Sequence, residues 1–79
     1  METLNKLNKK CDELLNSLNE SQDEKLFGML NAIKKMLSDP ESLRFVDIEI
    51  MINMILNLGY TYKEAQEILI DLEAELQSL

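Results

Sequence analysis

The chain reads as all-α: a small bundle of about four short helices in a single domain, residues 1–79, with a central apolar third helix and completion by homodimerisation. Three observations predict this. Apolar residues recur at alternating spacings of three and four, the signature of a helical face. Ser-x-x-Glu at Ser21 and Thr-x-x-Glu at Thr61 stand where helices would begin, each pairing a hydroxyl acceptor with a reciprocal carboxylate for backbone N–H groups that lack helical partners. Two glycines and one proline leave room for short turns only.

Leu4, Leu7, Cys11, Leu14 and Leu18 form one narrow apolar seam, which predicts helix one over about residues 3–19. The Ser21–Glu24 capping box then opens helix two, whose face carries Leu26, Leu30, Ile33 and Leu37, widened by Phe27, Met29 and Met36. Gly28 weakens that helix slightly and permits a close crossing. The only proline lies in SDPE, where Ser38 and Glu41 can form a further capping box, or Asp39 can cap a helix with Pro40 at its first position. Both readings end helix two near Leu37.

Helix three contains the most apolar stretch of the chain, FVDIEIMINMIL from Phe45 to Leu56. On a continuous helical wheel Leu43, Val46, Ile50, Met54 and Leu58 form one stripe and Phe45, Ile48, Ile52 and Ile55 form another, leaving Glu49, Asn53 and Asn57 as the polar strip. A helix apolar on two sides must be covered on two sides. We therefore expect Phe45, Ile48, Ile52 and Ile55 to mediate self-association, the alternatives being a monomer wrapped around helix three or a different protein on the second stripe. Asp47 interrupts the first stripe, and it suits a cap on a shorter helix starting at Ile48. A strand at FVDIEI also fits the alternation, but no second strand is available to pair with it. Gly59 then suits the left-handed residue past a helix end, Thr61–Glu64 caps helix four, and Ala65, Leu69, Leu72, Leu76 and Leu79 form its seam with Ile68.

The inventory argues against catalysis and against any cofactor or metal. There is no His, Cys11 falls on an apolar seam where a buried thiol is expected, and no phosphate-binding loop or metal-ligand spacing is present. A lone cysteine fits a reducing, cytoplasmic setting. No apolar run approaches the ~20 residues needed to span a bilayer. The net charge of −7 opposes direct contact with nucleic acid or an anionic membrane and favours a protein partner with a basic surface.

The charge is uneven. Residues 63–79 hold Lys63 against Glu64, Glu67, Asp71, Glu73 and Glu75. Glu64, Glu67, Asp71 and Glu75, spaced three, four and four apart, form a ridge beside the apolar face of helix four. Such a ridge solubilises a helix, or it meets a basic partner, with Ile70 as an apolar anchor beside it and Tyr60 at its base.

The segment ILNLGYTYKEAQEIL, Ile55 to Leu69, resembles the helix–loop–helix of ubiquitin-associated-type domains and the similar small C-terminal domain of a bacterial Holliday-junction protein. The resemblance rests on Leu58-Gly59-Tyr60, Glu64-Ala65 and Ile68-Leu69, and it covers under a fifth of the chain. It implies contact with a protein through Leu58 and Tyr60. The third helix of those domains has no counterpart after Leu69 other than the remainder of helix four. Ile55, Gly59 and Ala65 also echo a DNA-binding helix-turn-helix, but the segment that would enter the groove carries four carboxylates facing phosphate.

The function expected is that of a small acidic, non-enzymatic interaction protein: a stoichiometric inhibitor, antitoxin or adaptor of phage or mobile-element type. The alternatives are an assembly subunit that oligomerises through its helices and an acidic mimic that occupies a nucleic-acid-binding protein.

Overall fold

The computed structural model describes residues 1–19 and 21–79. Among these residues the chain forms five helices and no strand: α1 (Glu2–Ser17), α2 (Glu24–Leu37), α3 (Pro40–Leu43), α4 (Ile48–Asn57) and α5 (Tyr62–Gln77). The alternation in FVDIEI therefore does not produce a strand. The expected helix three is divided between α3 and α4.

α1 and α2 run in opposite directions. Asn8 and Asp12 meet Lys34, three residues beyond Asn8 along α1 Cys11 meets Leu30, and the Lys34 ammonium lies 3.0 Å from the Asp12 carboxylate. The Ser21 capping box does not form. Asn19 shapes this turn instead: its Oδ1 accepts the Ser21 N–H at 3.1 Å and the Ser21 hydroxyl at 2.7 Å, so α2 starts at Glu24 with Asp23 as its N-cap residue. An Asn side chain that mimics a backbone turn has outcompeted the serine cap. Gly28 is also not a crossing point, because a Cβ built there meets nothing within 4 Å.

Asp39 and Pro40 form the next junction. Pro40 is the first residue of α3, and the Asp39 carboxylate accepts from the Ser42 N–H at 3.4 Å and the Ser42 hydroxyl at 2.7 Å. Three successive bonds of the i to i+3 type, from Arg44, Phe45 and Val46, tighten the chain beyond α3. Asp47 is extended (φ −60°, ψ 144°), and α4 begins after it, though no side-chain cap bond is made.

α5 begins as expected. Gly59 has φ +100°, the Thr61 hydroxyl accepts the Glu64 N–H at 3.2 Å, and the Glu64 carboxylate accepts the Thr61 N–H at 2.9 Å. The positive φ is a region that only glycine enters without strain.

The five helices share one apolar core. α1 contributes Leu4, Leu7 and Cys11; α2 contributes Leu30, Ile33 and Leu37; α3 contributes Leu43. Met51, Met54, Ile55 and Leu58 enter from α4 and its C-cap, and Ala65, Ile68, Leu69, Leu72 and Leu76 from α5. Among the described residues no polar or charged side chain is buried, so apolar burial, at about 1.5–3 kcal/mol for each large side chain, carries the stability. α1 packs against α2 and α5, while α4 packs mainly on α5. Leu26 and Leu79, expected on seams, are 42% and 48% exposed. Each lies near the open end of its helix.

Candidate protein-binding surface

The extended residue at Asp47 resets the helical phase, and this decides which apolar residues reach the core. Met51, Met54, Ile55 and Leu58 are spaced three, one and three apart, so they lie on one face of α4, turned toward α5. The two stripes drawn on a continuous wheel are each divided. From the first, Leu43, Met54 and Leu58 are buried while Ile50 is 52% exposed; from the second, Ile55 is fully buried while Phe45 is 86% and Ile48 is 57% exposed. Ile52 is half-buried against the core. Of the four residues expected to mediate self-association, Ile55 is thus a core residue, and Phe45 and Ile48 alone are fully presented.

Phe45, Ile48 and Ile50 form the largest apolar exposure of the corner. With Met36 from the end of α2, Val46 and Asp47, they line an open groove. A second groove, floored by Leu43, Met51 and Leu76 and edged by Glu73 and Gln77 of α5, adjoins the first. Arg44, Val46 and Ile48 line both. The two make one trough across the α3–α4 corner to the end of α5, apolar at Phe45, Ile48 and Ile50 and more polar toward Glu73 and Gln77. Within it Arg44 lies 3.4 Å from Glu41, whereas Asp47 and Glu73 have no ion-pair partner among the described residues.

The acidic ridge of α5 is arranged differently. Glu75 reaches across to the first turn of α1, where its carboxylate accepts the Thr3 N–H at 2.9 and 2.8 Å and the Leu4 N–H at 3.3 Å. Burial pushes this carboxyl up, but the hydrogen bonds from Thr3 and Leu4 and the charged N-terminus outweigh it and hold it below the usual range. Glu64 closes its capping box, and the Thr61 hydrogen bonds, aided by Lys6 and Lys10, lower it against a smaller desolvation. Tyr60 is half-buried with the Lys6 ammonium 5.7 Å from its ring centroid, a cation–π distance. Burial raises the Tyr60 phenol, as do Glu64 and Glu13. Tyr60 and Glu75 therefore serve the α1–α5 contact and Glu64 the cap of α5; Glu67 and Ile70 remain exposed, Ile70 at 68%, while the exposed Asp71 borders a groove shared with Glu2, Thr3 and Lys6 of α1. Leu58, named with Tyr60 by the resemblance to ubiquitin-associated-type domains, is fully buried.

Cys11 has no access to solvent, and its thiol donates to the Leu30 carbonyl at 3.3 Å. Burial raises it first and Asp12 second, with Lys34 opposing. That suits a packing role.

Sequence reasoning missed Ile50, Met36 and Arg44 as surface residues. The available signal was Asp47 itself, whose break frees the faces of α4 from those of Leu43, Phe45 and Val46, while packing against α5 decides that Met51, Met54 and Ile55 turn inward and Ile50 outward. No helix among the described residues is long and apolar enough to cross a membrane. Comparison with protein-family models, curated proteins and solved structures finds no match.

Proposed function

We propose that the protein is a non-enzymatic interaction module that binds a larger protein through the apolar corner of α3 and α4, acting stoichiometrically as an inhibitor, antitoxin or adaptor. One observation carries this reading: Phe45, at 86% exposure, lines an open groove together with Ile48 and Ile50 while other side chains form the buried core. An aromatic side chain held out in water beside two β-branched aliphatics forgoes several kcal/mol of available burial, and such clusters commonly mark contact surfaces. The sequence supports the absence of catalysis, because it supplies no His and its single Cys is buried.

A phosphate-mimicking role for α5 is less favoured, since Glu64 and Glu75 are committed to helix caps. Self-assembly through the same corner is the second reading, favoured by the apolar character of Phe45 and Ile48 and opposed by the charge of −7 on each copy.

The test is photo-crosslinking in source cells, with a photoreactive amino acid in place of Phe45 and, separately, of Glu67. Adducts with one larger protein from position 45 and none from position 67 are expected. Adducts from position 67 alone would move the site to α5, and an adduct of twice the chain mass from position 45 would establish self-assembly.

A further inference from the structure

We infer that the trough across the α3–α4 corner and the end of α5 receives a short amphipathic helix with basic flanks, supplied by the partner protein. This inference rests on the reading of that corner as the binding surface and names the chemistry of its occupant.

Four arguments select that occupant. The first is area. Phe45, Ile48 and Ile50 together leave on the order of 300–400 Å² of apolar surface uncovered, below the roughly 450 Å² that is apolar in the about 800 Å² per partner of a standard interface between folded proteins. A second copy held by this patch alone would associate weakly, and −7 on each chain adds repulsion. One face of a short helix needs less. The second is charge. Among the described residues Asp47 and Glu73 stand on the trough without an ion-pair partner, and the one cation there, Arg44, lies 3.4 Å from Glu41. The rim is therefore acidic, and lysines or arginines flanking an apolar face complement it.

The third argument is backbone chemistry. A segment docking as a strand needs an exposed sheet edge, and the described residues contain no strand. A proline-rich segment needs several aromatic side chains, and among the described residues Phe45 is the one aromatic on the trough. A helix brings its own backbone hydrogen bonds and asks only for an apolar bed. The fourth is compliance. Met36, half-buried, borders the trough, and methionine adapts its unbranched side chain to an incoming apolar residue. The same negative charge disfavours an anionic membrane at this face.

The test uses three synthetic helical peptides with the intact 79-residue chain: one with leucines at positions i, i+3, i+4 and i+7 flanked by lysines, one with the same leucines flanked by glutamates, and a lysine-containing scramble with no apolar face. Binding is read by fluorescence anisotropy, and location by amide shift changes in two-dimensional NMR. The basic amphipathic peptide should bind at least tenfold more tightly than either control and shift amides at Met36, Arg44–Met51 and Glu73–Gln77. Ile48→Asp, an exposed position, should weaken it at least tenfold without altering the circular dichroism spectrum, and Glu67→Lys should leave it unchanged within twofold.

Equal binding of the scramble, or shifts confined to Glu67 and Asp71, would show simple charge attraction and overturn the inference. Preference for the acidic peptide at the same amides would overturn the basic-helix assignment while leaving the α3–α4 corner as the binding surface. If no peptide binds and sedimentation shows a dimer that Ile48→Asp dissociates, the occupant is a second copy. If crosslinking from position 45 also yields nothing, the reading of the surface itself fails.

Discussion

Glu75 does at long range what capping residues usually do locally. A helix leaves its first N–H groups without partners, and α1 has none from its own N-cap side chain. The carboxylate of Glu75, 72 positions from Thr3, accepts two of them and adds a favourable charge at the positive end of the helix. Its folded pKa is depressed, so the contribution is present above the unfolded value of about 4.3 and disappears as pH falls through the depressed folded value. Glu75→Gln should therefore cost about 0.5–1 kcal/mol near pH 7, and the gap from the parent should narrow below the unfolded value and close as pH falls through the depressed folded one. Urea unfolding at stepped pH checks this; a gap independent of pH would mean that the charge contributes nothing.

At the scale of elements, two capping sequences of the same type meet different fates. Thr61–Glu64 closes both of its bonds, whereas Ser21 donates to Asn19 and leaves α2 to begin at Glu24. Thr61→Ala should lower stability by about 1 kcal/mol, while Ser21→Ala should change it by less than about 0.5 kcal/mol. Thermal unfolding of the two variants side by side distinguishes them, and equal losses would place a cap at Ser21 after all. The junction at Asp47 matters more for the surface. One extended residue between α3 and α4 rotates the second helix relative to the first, so that Ile55 faces inward and Ile50 outward.

Across the whole molecule, 39 × 25 × 21 Å with a radius of gyration of 12.3 Å, the helices are about as condensed as a folded chain of this length should be. Most large apolar side chains are buried or half-buried in the core, and the exposed ones cluster at the α3–α4 corner, with Ile70, Tyr62, Leu26, Leu79 and Met1 exposed elsewhere. Ile55→Ala should cost about 2–5 kcal/mol, because it opens a cavity where α4 meets the core, and Ile48→Ala should stay within about 0.5 kcal/mol of the parent. Chemical denaturation of both measures the difference directly. A large loss at Ile48 would mean that this residue is covered in solution.

Much of the architecture is legible in the sequence by itself. The seams of α1 and α5, the end of α2 at Leu37, the left-handed turn at Gly59 and the cap at Thr61 depend on neighbours within about four positions, and local spacing determines them. The buried state of Cys11 was legible for the same reason. Only the tertiary structure decided the rest. Whether FVDIEI becomes a strand, a long helix or a break turns on how the chain after Pro40 meets α5, and every assignment of a face from Phe45 to Ile55 changes with that phase. Tyr60 and Glu75, equally plausible in sequence as partner contacts, are instead drawn into the fold by α1, which lies beside them in space and more than fifty positions away along the chain. Periodicity reports the face a residue occupies on its own helix; what stands opposite that face is settled by packing between distant segments, and this separates the core residue Ile55 from the exposed Phe45.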